Sequence, residues 1–201
     1  MKSLAASPFK NFVTKKLVKL LQAEQKYLNQ TYEFKHEIFS FLRERSIKLK
    51  ESPLNPEIRL ELTQNRKYYI LTFKSGLYPN TYKQRPETYD DAFPFQISYN
   101  LKTESLLAEC YAVDSDYAIL RCFTTSHPIS IPRNPPSILT KEFRGPLPKR
   151  LKSETIQAFR ERFEEEGFNM EFIAQCMNIA RDKEERLKTE WIEGILKFIN
   201  S

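Results

Sequence analysis

Few residues of this 201-residue chain have the types and spacing that catalysis requires. Its two histidines, His36 and His127, lie in no recognisable metal-binding motif, so neither predicts a metal site. The four glycines form no G-x-G or P-loop pattern, which excludes nucleotide binding by that route. We therefore expect no catalytic residue, no metal site and no cofactor, and we predict that the protein is not an enzyme.

The three cysteines and the densest carboxylate cluster also favour structural roles. Cys110, Cys122 and Cys176 form neither a C-x-x-C pair nor an even disulfide framework, which favours free thiols in a reducing compartment. Three consecutive glutamates, 164–166, stand at the predicted C-terminal end of a helix, where the helix dipole disfavours negative charge. We expect these carboxylates to pair with basic side chains rather than to act on a substrate.

Lysines near the N-terminus are the candidate binding residues. Residues 1–74 hold 15 Lys and Arg against 7 Asp and Glu (net +8), whereas residues 151–201 hold 8 against 11 (net −3). This basic excess favours a polyanionic partner, namely RNA, anionic lipid or acidic protein, and a merely solvated helix face is the alternative. The residues that we single out for polyanion binding are Lys10, Lys15, Lys16 and Lys19.

These lysines lie in a predicted amphipathic helix over residues 1–31. Ser7-Pro8 is a typical helix start, and an apolar face follows it. The basic, acid-poor composition is also typical of a mitochondrial presequence, and we favour an uncleaved helix that doubles as an import signal. The next stretch, 32–45, fits either a helix or a strand, and its spacing favours a helix.

The middle of the chain, 46–143, has the alternation of β-strands. Short turns separate several neighbouring strands, as at 64–66, which requires an antiparallel meander. The predicted strands cover 46–50, 57–63, 67–74, 93–102, 105–113, 117–125 and 138–143. Four prolines in 127–136 predict a rigid connector before the last strand.

Two helices are predicted over 153–199. Ser153 is the expected N-cap of the first, Gly167 ends it in a left-handed conformation, and Asn169 caps the second. Trp191, the only tryptophan, is expected to be a buried packing anchor. The residues predicted for packing or an interface are Phe159, Phe163, Leu187, Trp191, Ile195 and Phe198.

The last sixty residues resemble the C-terminal signature of the mitochondrial glycoprotein family. The matching residues are Phe143-Arg144-Gly145-Pro146, Leu151, Gln157, Phe159, Phe163, Glu166-Gly167-Phe168, Lys183-Glu184, Trp191-Ile192 and Phe198. Glu166 stands where that family usually has arginine, and Phe168 where it has isoleucine. The resemblance implies a single α+β domain over 1–201, with a strongly twisted seven-stranded antiparallel sheet flanked by one N-terminal and two C-terminal helices. It also implies a ring-shaped trimer.

The same resemblance implies a non-catalytic protein of the mitochondrial matrix. Such an adaptor, chaperone or scaffold subunit would be linked to the assembly or translation of the mitochondrial ribosome. The alternative is an accessory structural subunit of an inner-membrane respiratory complex. The expected partners are further copies or acidic paralogues in a homo- or heterotrimer, and mitochondrial ribosomal RNA or ribosomal proteins, with a respiratory complex or anionic lipid as the alternative. Because that family is usually strongly acidic and this chain has a net charge of +6, its charge-based binding does not carry over.

Overall fold

A computed structural model describes the backbone of residues 8–33, 35–75, 93–101, 104–113, 116–125, 145–147 and 150–200. Within these ranges the side chains are described from residue 14 onward. The helices are α1 (Pro8–Thr31), α2 (His36–Glu44), α3 (Ser153–Glu165) and α4 (Met170–Asn200). The strands are β1 (Lys48–Glu51), β2 (Glu57–Gln64), β3 (Lys67–Lys74), β4 (Phe93–Asn100), β5 (Ser105–Val113) and β6 (Asp116–Thr125). The protein is therefore α+β, as predicted.

The six described strands form one antiparallel meander in the order β1-β2-β3-β4-β5-β6. A two-residue turn joins β2 to β3, and its Asn65 and Arg66 both have positive φ, which matches the twist of a tight hairpin. A β-bulge between Glu109 and Cys110 shifts the register of β5 against β6. The predicted seventh strand, 138–143, lies outside the described residues.

One face of the sheet carries the hydrophobic core. Leu60, Leu71, Ile97 and Ala108 are cross-strand neighbours from β2 to β5, and all four are fully buried. Helices α3 and α4 and the turn between them supply the other half of this core through a cluster of mostly aromatic and aliphatic side chains: Phe163, Phe168, Phe172, Ile173, Cys176, Ile179 and Ala180. Alternation along the strands thus fixes which face the helices cover.

The opposite face of the sheet carries buried polar side chains. Gln96 and Ser98 of β4 and Glu61 of β2 are buried there, and Glu61 forms ion pairs with Lys50 and Arg59 at 2.8 and 2.9 Å. Burial opposes ionisation of Glu61, but the hydrogen bonds from Lys50 and Tyr68 and the nearby positive charges outweigh it, so its pKa lies below the ordinary value. The ionised carboxylate therefore connects β1 to β2.

The chain has two helices before the sheet where the resemblance implied one. The stretch 32–45 forms α2, which confirms the helical interpretation of its spacing. Its Ile38 and Leu42 are buried in the core, and Phe41 packs edge-on against Phe172 at 5.2 Å between ring centroids. Thus α2 is part of the packed layer beside α4.

The caps of the C-terminal helices agree with prediction at two positions and differ at a third. Gly167 has φ +87°, as expected at the end of α3, and Asn169 accepts a 3.0 Å hydrogen bond from the amide of Phe172 at the start of α4. The prediction that Ser153 is an N-cap is wrong, because the helix already includes Ser153 and Lys152 holds the cap position. No helix in the described ranges is long and apolar enough to cross a membrane.

Candidate interaction surface

Helices α1 and α4 pack side by side in opposite directions, since Tyr32, just after α1, donates a 2.9 Å hydrogen bond to Asp182, whereas Glu24 pairs with the later residue Lys188. Lys188 forms a 2.6 Å ion pair with Glu24, and the Gln25 side chain donates a 3.3 Å hydrogen bond to Glu193. Consecutive residues of a helix point about 100° apart. The Glu24–Lys188 and Gln25–Glu193 contacts therefore lie on either side of the line along which the two helices touch. Leu21 of α1 is buried, and Ile192 of α4 is fully buried. These contacts fix how each helix is rotated about its axis.

Large apolar side chains remain exposed on one side of this pair. On α1, Leu20 lies four residues before Glu24 and Tyr27 three residues after it. On α4, Trp191 lies three residues after Lys188. These three side chains therefore lie on the same side of the helix pair as the Glu24–Lys188 ion pair. Leu17 precedes Glu24 by seven residues, and Phe198 follows Trp191 by seven. We call this set the exposed helix face: Leu17, Leu20 and Tyr27 of α1, and Trp191 and Phe198 of α4. Large apolar side chains grouped on one exposed surface are typical of a contact with another macromolecule.

Gly194 lies on the same face, three residues after Trp191 and four before Phe198. A glycine in a helix interior costs about 0.5–1 kcal/mol relative to alanine. In the described chain no heavy atom lies within 4 Å of the position that a Cβ at Gly194 would take. Packing within the described chain therefore gives no reason for this glycine.

The predicted packing residues have different environments. Phe163 is buried and Phe159 packs half-buried against the core, while Leu187 and Ile195 are half-buried. The prediction that Trp191 is a buried anchor is wrong for the single chain, because its side chain is 56 % exposed. The α4 position packed against α1 is Ile192, one residue further on. Burial of Trp191 in a contact with another molecule stays a prediction.

The predicted polyanion-binding lysines all lie in α1. Lys15, Lys16 and Lys19 are exposed in α1, and Lys10 lies in α1 where side chains are not described. Lys15 and Lys19, four residues apart, share one side of α1 with exposed Lys26, which the sequence analysis did not single out. We call these three residues the lysine stripe. Lys16 lies three residues before Lys19 and four before Leu20, so it stands between the lysine stripe and the exposed helix face.

A polar network holds α4 against the end of β1. Lys183 is 1 % exposed, and its ammonium donates a 2.9 Å hydrogen bond to the carbonyl oxygen of Ser52. Arg186 donates to both carboxylate oxygens of Glu51, at 2.7 and 3.0 Å. Burial opposes ionisation of Glu51, but the hydrogen bonds and charge of Arg186 outweigh it, so the pKa of Glu51 lies below the ordinary value. These bonds position the half of α4 that carries Trp191.

The glutamates at the end of α3 have the basic partners that the sequence analysis expected. Arg160 donates to Glu164 at 2.8 Å, and Arg162 to Glu165 at 3.0 Å. Glu166 is buried and accepts hydrogen bonds from Arg162 and from Lys67 of β3. Glu166 therefore links the end of α3 to the sheet, whereas Glu164 and Glu165 pair with arginines of their own helix.

The groups considered for catalysis are not assembled into a site in the described chain. Cys110, Cys122 and Cys176 have free thiols, and burial raises the pKa of all three, that of Cys122 to about 11. The described residues contain no cluster of His, Cys, Asp and Glu that could hold a metal ion. His36 lies exposed at the start of α2, and His127 lies outside the described residues.

These features define a class of α+β protein, in which helices cover one face of a consecutive antiparallel sheet and leave an apolar helical surface exposed. Solved structures share this fold, among them the following two. The Trypanosoma brucei p22 protein is similar with a TM-score of 0.65 and 11 % identity, over 94 % of this chain and 99 % of that one. A Leishmania major protein of unknown function, described as a sequence homologue of human p32, has a TM-score of 0.62 and 9 % identity, over 93 % and 99 % of the two chains.

Human p32 represents the mitochondrial glycoprotein family, so the structural comparison confirms the resemblance of the C-terminal residues at the level of the fold. No protein-family model matches the sequence, and no curated protein matches it significantly. The likeness is thus one of structure along nearly the whole chain.

Proposed function

We propose that this protein is a non-catalytic adaptor or scaffold subunit of the mitochondrial matrix, linked to the assembly or translation of the mitochondrial ribosome. The observation that carries the proposal is a fold shared with p22 and the p32 homologue over more than nine tenths of the chain, together with the exposed helix face. A protein that works by contact with other molecules needs such a surface, and it needs no reaction centre.

A ring-shaped trimer is part of this proposal. The exposed helix face leaves large apolar side chains in water unless another molecule covers it. The first 74 residues are basic and the last 51 are acidic, so different regions of two identical chains attract each other. When each copy is related to the next by a third of a turn, such contacts between different regions close into a three-membered ring. An acidic paralogue would fit the basic region equally well and would give a heterotrimer.

The lysine stripe is the proposed contact with ribosomal RNA. Lys15, Lys19 and Lys26 lie on a different side of α1 from Leu20 and Tyr27, so a trimer formed through the exposed helix face would leave the stripe accessible. Lysines without base-reading partners bind phosphates through charge and discriminate little between sequences. The stripe therefore suits a structural contact with RNA.

Two observations support the proposed mitochondrial location. The family that shares the fold is mitochondrial, and α1 is basic, with no acidic residue before Glu24. The described residues favour import with α1 retained, because Leu21 is buried and Glu24 is ion-paired to Lys188, so removal of α1 would expose part of α4.

Purification of the tagged chain from mitochondria under mild salt tests this proposal. We expect ribosomal RNA and ribosomal proteins to co-purify with the wild type, and we expect less RNA with a variant that has Lys15→Glu, Lys19→Glu and Lys26→Glu. A matched variant with Lys197→Glu, an exposed lysine of α4, should retain the RNA. Recovery of an inner-membrane respiratory complex with no ribosomal component would contradict the ribosomal role and support the alternative.

A further inference from the structure

We propose that a cleft between α2 and the start of α4 binds a polyamine, a small molecule that carries several ammonium groups along a flexible aliphatic chain. The cleft has a volume of about 400 Å³, which lies within the usual range for small-molecule sites. We call it the α2–α4 cleft. None of its lining residues belongs to the lysine stripe or to the exposed helix face, so this inference does not depend on the proposed trimer or on the RNA contact.

Three carboxylates line the α2–α4 cleft without a basic partner. Glu37 and Glu44 of α2 and Glu171 of α4 form no ion pair within the described chain. Glu37 and Glu171 lie in the first turns of their helices, where the helix dipole favours negative charge. Glu44 lies at the C-terminal end of α2, where the dipole disfavours it. Helix stability therefore does not account for the charge of Glu44, whereas a cationic ligand would.

Arg45 is the only lysine or arginine in the lining of the cleft, and aromatic rings hold its side chain. Its guanidinium carbon lies 5.4 Å from the ring centroid of Phe172 and 5.8 Å from that of Phe41. Other basic residues nearby in the sequence do not line the cleft: Lys35, Arg43 and Lys48. With His36 counted as neutral, three carboxylates against one guanidinium leave a net charge of −2. The cleft is thus locally acidic in a chain whose net charge is +6.

A polar side chain in the wall of the cleft also lacks a partner. The side-chain oxygen of Gln175 is buried and accepts no hydrogen bond from the protein. An amide oxygen that is buried without a hydrogen bond is unfavourable. Gln175 follows Glu171 by four residues, so both stand on the same side of α4. A rotation about the last bond of the Gln175 side chain would let this oxygen accept a hydrogen bond from an ammonium group in the cleft.

The spacing of the acidic groups favours an elongated organic cation over a metal ion. The described residues contain no group of His, Cys, Asp and Glu that could hold one metal ion. Glu37 and Glu44 are seven residues apart, which corresponds to about 10 Å along α2. The two terminal ammonium groups of extended spermidine are a similar distance apart, whereas those of putrescine are much closer together. Phe41 lies between the two glutamates along the helix, where its ring can contact the methylene groups of the ligand.

Titration of the purified full chain with spermidine tests this site. In low-salt buffer, isothermal titration calorimetry should show saturable binding of one spermidine per chain. We expect putrescine to bind several-fold more weakly, because it cannot reach both Glu37 and Glu44. Glu44→Gln should raise the dissociation constant of spermidine about threefold or more, the effect of losing one partly exposed ion pair. Glu184→Gln, at an exposed position of α4 outside the cleft, is the matched control and should bind as the wild type does.

Circular dichroism and melting curves will show that the variants are folded. Absence of saturable spermidine binding at low salt would overturn the proposal. Equal weakening by Glu44→Gln and Glu184→Gln would also overturn it, because the ligand would then respond to the general charge of the surface. Equal affinities for putrescine and spermidine would show that Glu37 and Glu44 do not act together on one ligand. A trilysine peptide that binds more tightly than spermidine would identify the cleft as a site for a basic protein segment instead.

Discussion

The amide of Phe168 donates a 3.0 Å hydrogen bond to the carbonyl oxygen of Phe163, across the turn that ends α3. The amide of Gly167 donates a second bond, 2.8 Å long, to the carbonyl oxygen of Glu164. Together they form the pattern of a Schellman motif, and the rings of Phe163 and Phe168 meet edge-on at 6.5 Å. One glycine thus directs α4 back onto the sheet, where both phenylalanines enter the core.

Gly167→Ala should destabilise the protein. The positive φ of Gly167 costs about 1–2 kcal/mol for a residue with a Cβ. The new Cβ would also stand 2.6 Å from the side-chain nitrogen of Gln64. We expect the melting temperature to fall by about 2–4 °C for each kcal/mol lost, measured by calorimetry. The double variant with Gln64→Ala should recover the steric part only, and a melting temperature that Gly167→Ala leaves unchanged would show that α3 does not end in this conformation.

Much of this fold could be predicted because its signals are local. The alternation of apolar and polar residues predicted the observed bounds of β3 and β5. The two-residue turn at Asn65 and Arg66 joins the strands of the predicted hairpin. Gly167 and Asn169 were predicted for their cap roles because each satisfies a backbone requirement that few residue types meet. The glutamates of α3 were expected to have basic partners because the dipole at that helix end is negative.

The candidate surface was harder to predict because it depends on tertiary structure. Periodicity shows that α4 has apolar stripes, but only the path of α1 decides that Ile192 is covered and Trp191 is not. The burial of Lys183 was not predicted. Lysine is rarely buried without a partner, and here the partner is the backbone carbonyl of Ser52, 131 positions away in the sequence, which no local pattern indicates. The exposure of the lysine stripe also depends on how α1 is rotated against α4, which the sequence does not show.

Neighbouring residues Trp191 and Ile192 allow a matched test of that rotation. Ile192→Ala removes a fully buried side chain between α1 and α4 and should cost about 2–5 kcal/mol of unfolding free energy. Trp191→Ala should change the stability of the isolated subunit much less, because its side chain is 56 % exposed, and should instead weaken self-association. Denaturant titration and sedimentation measure the two effects separately. Equal losses of subunit stability would show that Trp191 is buried within the chain.

The ionisation of Glu166 makes the free energy of unfolding depend on pH. Burial opposes its ionisation, but hydrogen bonds from Lys67, Asn65 and Tyr69 and the charge of Arg162 outweigh it and hold its pKa below the ordinary value. Because the pKa is lower folded than unfolded, its stabilisation is present above the unfolded pKa of about 4.3 and is lost as the pH falls from there through the folded pKa.

Glu166→Gln should therefore lower the unfolding free energy at neutral pH and flatten its fall between neutral and acidic pH. Denaturant titrations at a series of pH values measure both effects. Glu165→Gln, at an exposed side chain, serves as the control and should follow the wild-type curve. If the free energy of unfolding falls as steeply with decreasing pH in Glu166→Gln as in the wild type, other carboxylates control that fall.

The lysine stripe should give RNA binding a measurable salt dependence. Each lysine on a phosphate of single-stranded RNA contributes about −0.7 to the slope of log affinity against log salt, so three should give a slope of about −2. Alanine at Lys15, Lys19 or Lys26 should each reduce the magnitude of the slope by about 0.7, as fluorescence anisotropy at a series of salt concentrations will show. Lys197→Ala should leave the slope unchanged. Absence of RNA affinity at low salt would exclude the stripe as an RNA contact.

The central claim is that the chain works as a subunit of a ring-shaped assembly that covers the exposed helix face. Sedimentation equilibrium or native mass spectrometry of the wild-type protein at micromolar concentration tests it most directly. A homotrimer of the 23.8 kDa chain has a mass of about 71 kDa, and this is the species that we expect, with a monomer appearing on dilution. A single 23.8 kDa species at every concentration, both alone and with its co-purifying partners, would contradict the account.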